Sequence, residues 1–300
     1  MTTIPAEQTR KVNAVYTIKQ AAQLTGLPTA TLRAWERRYP LPAPDRSPSG
    51  YRLYDDAGLA RLRFMDRLVR AGWAPRNAAA VALDGTDEAS GLPGPREFVE
   101  AVGAGLSPVR REALLSARFH GQPLPTVIED WLMPMLRELG EAWRDGRVTV
   151  WQEHAVATAV LRQLHVAFES APAPRDGPLV LTGLPSACHH EVGIAAFNAL
   201  AKCAGLEVVF LGPDLPEDAW VGAVEAHPPA AVVIAVPTAA DVPGARASMA
   251  ALARFAAPPL LAVGGSHQDA VADLALPLGH SVTVGARDLA SALRGALPAR

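Results

Sequence analysis

Three hundred residues, 49% hydrophobic and 19% charged, are enough for two or three globular domains, and no apolar run is long enough for a membrane helix. The polar opening MTTIPAEQTRKVNAVY lacks a secretory h-region, and two cysteines, Cys188 and Cys203, suit neither a disulfide framework nor a four-ligand zinc site, so a reduced, cytoplasmic protein is expected. The net charge of −2 is uneven: residues 1–74 hold 12 Lys and Arg against 6 Asp and Glu, so a head of +6 precedes a body of −8 and predicts an anionic partner for the head.

Two stretches that cannot bury apolar surface, Asp84–Arg96 (DGTDEASGLPGPR) and Ser170–Pro178 (SAPAPRDGP), divide the chain into blocks at 1–83, 95–170 and 178–300. In the first block Thr17 and Gln20 have capping-box spacing. Ile18, Ala21, Ala22 and Leu24 then supply an apolar face, and Gly26 ends the helix. Thr29 is expected to cap a second helix, with Leu32 and Trp35 facing inward. Two short helices about a glycine turn form a helix-turn-helix. Arg33 and Arg37 lie four apart on the second helix with Arg38 beside them, and arginine suits both guanine edges and phosphates. A proline-rich turn leads to RSPSGYRLY, where Gly50 permits a hairpin and Arg46, Tyr51 and Arg52 form a second basic arm.

The order YTIKQAAQLTGLPTATLRAWERRY, a short loop, then SGYRLYDDAGLARLRFMDRLVRAGW resembles the MerR family of winged helix-turn-helix regulators. The resemblance covers about 60 residues and implies a dimer on paired half-sites of double-stranded DNA. It places Thr29, Arg33, Arg37, Arg38, Arg46, Tyr51 and Arg52 at the DNA.

The second block shows four helical stretches joined by short connections, which predicts a four-helix bundle. Trp143 and Trp151 read most simply as bundle core, with His154 as a satisfied core histidine. In the third block the runs LVLTGL, LEVVFLG, AAVVIAV, PLLAV and SVTV alternate with helix-length segments. Apolar on both faces, they predict a five-stranded parallel sheet of flavodoxin-like (Rossmann-like) α/β type. Ligands of such sheets bind beyond the carboxyl ends of the strands, where the loop GLPSACHHEVG presents Cys188, His189 and His190. An imidazole there can ligate a metal, although histidines at helix starts are more often simply solvated.

His190-x-x-Gly193, with FLGPDLP after the second strand and Gly264–Gly265 after the fourth, resembles the cobalamin-binding flavodoxin-like domain. The resemblance implies that His190 ligates cobalt from below and that the double glycine admits the displaced nucleotide tail. Thr238 stands where the family has a serine. Trp143, nine residues, then Glu153–His154 is similar to the helical cap of photoreceptor regulators of the CarH/LitR type. There the tryptophan and the Glu-His pair cover the upper face of the cofactor, adenosylcobalamin. Two departures stand out. Cys188 occupies the position of the acid that usually supports the histidine, and Arg144 replaces the histidine after the cap tryptophan.

The resemblance as a whole implies a DNA-binding regulator, a repressor rather than an enzyme. Its homo-oligomeric state (dimer or tetramer) and DNA affinity would be set by a cobalamin-type ligand, and the likeness to photoreceptor regulators raises a response to light as a further expectation. The alternatives are a sensor retuned to another tetrapyrrole or left vestigial, and a corrinoid methyl-carrier enzyme.

Overall fold

The computed structural model describes residues 16–39, 45–46, 52–84, 92–172 and 176–296. Among these no helix is long and apolar enough to cross a membrane. The chain forms two compact units, Met1–Pro93 with Leu106–Gly121, and Gly94–Gly105 with Gln122–Arg300.

In the first unit a short strand β1 (Tyr16–Thr17) runs into α1 (Ile18–Thr25). The capping box is formed: the Thr17 amide and hydroxyl both donate to Gln20 Oε1 at 2.9 Å, and the Gln20 amide donates to Thr17 Oγ1. Gly26 closes the helix at φ 74°, a left-handed conformation that suits glycine. The following helix, α2 (Thr29–Arg38), departs from expectation at its start: Pro28 is the cap residue and Thr29 is already helical, with no side-chain capping bond. Proline's fixed φ supplies the entry geometry that a threonine cap would otherwise provide. Leu32 and Trp35 are buried, as expected, whereas Leu24 is exposed and Leu27, past the turn, takes the inward place.

The strands β2 (Asp45–Arg46) and β3 (Arg52–Tyr54) form an antiparallel wing in the order β1-β3-β2, with Arg46 opposite Arg52 and Tyr16 opposite Tyr54. The expected hairpin at Gly50 and Tyr51 lies outside the described residues. Asp55 then caps α3 (Asp56–Arg70) through a 2.7 Å bond from the Gly58 amide, and α4 (Pro75–Asp84) follows.

All four helical stretches of the second block are present: α5 (Pro95–Gly103), α6 (Pro108–Gly121), a composite helix and α9 (Val150–Ser170). The composite helix is α7 (Leu124–Thr126), a π-helical segment (Val127–Leu132) and α8 (Met133–Arg144). Pro134 has no amide to donate and its ring crowds the carbonyl four residues back, so a widened turn just upstream relieves it. The four helices do not share one core. Helix α6 packs on α3 and α4, with the Arg110 guanidinium 4.7 Å above the Phe64 ring and donating to Val81 O. Ser116 Oγ of the same helix accepts from the Trp73 indole. The other helices belong to the second unit, where Phe98 meets Trp131 edge-to-face at 5.3 Å and buried Gln152 donates to Val102 O.

The rest of the second unit is a parallel sheet of β4 (Leu179–Gly183), β5 (Glu207–Phe210), β6 (Ala231–Ala235), β7 (Leu260–Gly264) and β8 (Leu276–Pro277) in the order β5-β4-β6-β7-β8. Four predicted strands fall where expected. The fifth does not: SVTV opens helix α13 (Val282–Ala296), with the Ser281 hydroxyl accepting from the Val284 amide. Here a capping serine outweighs the β-branched run that follows it. The edge strand falls instead on Leu276–Pro277, where a proline leaves no interior ladder bond unmade.

Two further helices, α11 (Glu217–Ala226) and α12 (Val242–Leu252), bury Trp220, Val224, Met249 and Leu252 against Leu181, Val232 and Ile234. Alternation along β4 therefore turns Thr182 to the opposite face, where α10 (Val192–Cys203) packs with α13. Two polar contacts among the described residues help join the helices to the sheet of this unit. The Lys202 ammonium donates to Phe168 O of α9 at 2.8 Å. Glu129, in the π segment, accepts from Ser281 Oγ at 2.8 Å and the Thr283 amide at 2.7 Å, placing a carboxylate at the positive end of α13.

Candidate functional sites

Burial of Leu32 and Trp35 turns the opposite side of α2 outward, and Arg33, Arg37 and Arg38 are all exposed there. The wing is fastened to this helix by Glu36, a residue the sequence reading passed over. Its carboxylate, with a side chain only 8% exposed, accepts from the buried Tyr54 hydroxyl and pairs with Arg52 Nε at 2.5 Å. Burial, and then the bond to Glu36, push the Tyr54 phenol above its ordinary range. Arg52, expected to clamp a phosphate, therefore spends at least its Nε edge inside the protein. Arg46 lies on β2 opposite it, and Tyr51 lies outside the described residues.

The second site is at the carboxyl ends of the sheet strands. The loop after β4 is bent at Ala187 (φ 64°), whose amide donates to Asp214 Oδ1 at 2.7 Å, while the Asp214 amide donates to Cys188 O. A non-glycine residue in the left-handed region costs about 1–3 kcal/mol, so the neighbouring loop must hold this shape in place. The result buries Cys188 and leaves His189, His190 and Gly193 exposed at the start of α10.

Thr238 and Asp241 come from the loop after β6. The Asp241 side chain, on a residue only 5% exposed, accepts from the Thr238 amide at 2.8 Å and its hydroxyl at 2.7 Å. Ligand atoms of Cys188, His190 and Asp241 all lie within 4.8 Å of one another. Burial, before any other cause, pushes the Cys188 thiol up to about 12. Burial would also raise Asp241, but the bonds from Thr238, the adjacent Cys188 thiol and the nearby His190 hold it below the usual carboxylate range. The one sequence signal for Asp241 is the capping-box spacing from Thr238.

The residues fit a corrinoid with a lower histidine ligand. The two glycines differ in role. At Gly265 (φ 98°) a Cβ would lie 2.6 Å from Val236 O, so the backbone itself demands glycine, whereas a Cβ at Gly264 would meet open space. On the α10 side of the sheet, Thr182 Oγ1 and Asn198 Oδ1 are buried without a hydrogen-bond partner. Buried polar atoms of this kind call for a ligand or water to satisfy them. The simple reading of the cap as core is overturned, because Trp143 is 49% and Trp151 66% exposed. His154 is likewise no core histidine: its side chain is 74% exposed and its Nδ1 lies 2.8 Å from Glu153 Oε2. Arg144 is turned back along α8, with Nε donating to Gly140 O at 3.4 Å.

The profile of the MerR HTH family regulatory proteins matches residues 16–82, and that of the B12 binding domain matches 96–166. The HTH-type transcriptional repressor CarH of Myxococcus xanthus is 32% identical over 227 residues, 68% of this chain and 72% of that protein. CarA of the same organism, also an HTH-type transcriptional repressor, is 32% identical over 213 residues, 69% and 71% of the two chains. Among solved structures, the monomethylamine corrinoid protein of Methanosarcina barkeri superposes with a TM-score of 0.56 at 15% identity, covering 65% of this chain and 96% of that one. At that identity the shared property is the fold. The likeness to the two repressors runs through more than two thirds of each protein, and this chain belongs with CarH and CarA to a family of MerR-type transcriptional repressors.

Proposed function

We propose that this protein represses transcription by binding paired operator half-sites as a homo-oligomer, and that adenosylcobalamin sets its assembly and so its affinity for DNA. Residues 1–83 read DNA through Arg33, Arg37 and Arg38. Residues 95–170 provide the cap, and residues 178–300 hold the corrinoid. One observation carries the reading: one compact unit holds both an exposed His190 beyond the carboxyl end of β4 and a half-exposed Trp143 on the helices. An indole left in water costs hydrophobic free energy that covering a flat ligand would recover.

Bound cobalamin would supply a cobalt centre with an exchangeable or light-sensitive upper group. The chain's own residues do the rest. His190 would hold the cobalt, Gly264 would leave room beside the sheet while Gly265 lets the turn lie against Val236, and Thr182 and Asn198 would offer polar atoms along the buried side. Trp143 would cover the bound group, and the Glu153 carboxylate would accept from its hydroxyls. With Arg144 after Trp143, any second imidazole would have to come from elsewhere, and His154 and His165, both exposed on α9, are the candidates.

The test is to titrate the full chain with adenosylcobalamin in the dark, recording absorption, elution volume and retention of promoter DNA before and after green light. A bound spectrum, a ligand-dependent change of elution volume and a parallel change in DNA retention are expected. A spectrum identical to the free cofactor would remove the corrinoid reading. Absence of sequence-selective DNA binding would remove the regulator reading.

A further inference from the structure

The sequence lacks an acid two positions before His190, and the fold brings one in from another strand. Strands β4 and β6 are neighbours in the sheet, so the loops leaving their carboxyl ends lie side by side. The loop after β4 carries Cys188 and His190, and the loop after β6 carries Asp241. We propose that Asp241 is the positioning acid for His190, taking over the support that Cys188 cannot give. This rests on the reading of His190 as the lower cobalt ligand.

Three observations carry it. Asp241 is fixed: both Thr238 bonds end on Oδ2, which leaves Oδ1 outside that pair. It is close, within the 4.8 Å cluster with the His190 ring and the Cys188 sulfur. It is also shielded, since Asp241 is only 5% exposed and Cys188 is buried beside it, so water competes little for the carboxylate. A carboxylate beside a ligating imidazole orients the ring and raises its basicity, and losing such a partner costs metal affinity about 10–100-fold. A capping role alone would need only an oxygen that accepts from Thr238, which asparagine also provides.

The experiment uses the full chain, with and without 15N-histidine, loaded with aquocobalamin and reduced to the Co(II) form. In the parent protein, nitrogen splitting of the electron paramagnetic resonance spectrum that changes on labelling and vanishes in His190→Ala verifies the ligand. If that splitting is absent, the reading of His190 fails and the role of Asp241 goes with it. With the splitting present, Asp241→Asn is expected to weaken aquocobalamin binding about 10–100-fold and to reduce the histidine-ligated share of the spectrum. Adding Cys188→Asp to that variant returns an acid to the position two before His190 and is expected to restore both. Affinity within about twofold of the parent and an unchanged histidine-ligated share in Asp241→Asn would overturn the proposal. A loss that Cys188→Asp does not recover would overturn it equally, because it would mark Asp241 as a structural cap.

Discussion

Glu36 ties the recognition helix to the wing, and removing it gives a sharp test of how the two are held together. In Glu36→Ala the buried Tyr54 hydroxyl loses its acceptor and Arg52 loses its ion pair. A hydrogen bond to a charged group contributes about 1.5–3 kcal/mol. The ion pair adds at most about 1 kcal/mol, because the Arg52 side chain is 38% exposed and water screens it. The expected loss is therefore about 2–4 kcal/mol, confined to the contact between α2 and β3. Amide hydrogen exchange read by mass spectrometry measures it locally. A loss of about 2 kcal/mol speeds exchange of protected amides in these elements about thirtyfold, with little change in the sheet of the second unit. Tyr54→Phe removes the donor, so the double variant should lose clearly less than the two single losses together. Additive losses, or a Glu36→Ala effect below about 0.5 kcal/mol, would refute the argument.

Arg33→Ala and Arg37→Ala should each weaken operator binding, and a phosphate contact shows as a salt-dependence slope lower by about one, measured by fluorescence anisotropy across a salt series. Gly265→Ala forces a Cβ to 2.6 Å from Val236 O at a positive φ, so the denaturation midpoint should fall by the equivalent of at least about 1–3 kcal/mol; an unchanged midpoint would contradict the geometry. The Cys188 thiol, buried and raised to about 12, is protonated at neutral pH. Iodoacetamide followed by peptide mass mapping should therefore label exposed Cys203 first and Cys188 only after unfolding, and rapid native labelling of Cys188 would contradict its burial.

The elements legible in the sequence were those with local causes. Thr17, Gln20 and Gly26 delimit α1 through bonds made within a few residues, and four core strands declare themselves as short apolar runs. Legibility failed where a neighbour decided. SVTV has strand composition, yet Ser281 caps a helix there and Glu129, far away in sequence, holds the Thr283 amide and the Ser281 hydroxyl. The cap tryptophan looked like core material on spacing alone, because its period matches a helix face whichever way that face points. In the site, Cys188 read as a missing acid, since pattern runs along the chain and cannot see that β6 lies beside β4. Arg52 read as part of a basic arm for the same reason: its partner, Glu36, sits on a different element.

The allegiance of α6 bears on how this protein can be cut and recombined. Because α6 sides with α3 and α4 while α5 and the composite helix side with the sheet, the polypeptide passes between the two bodies three times. A fragment ending at residue 83 would be a poor isolate of the DNA-reading head, since it would strip Arg110 from Phe64 and Ser116 from Trp73. The modular seam written in composition is thus not the mechanical seam. An excised or transplanted head needs its α6 grafted back, and a hybrid regulator built at the proline-rich linker would inherit a head with an open flank.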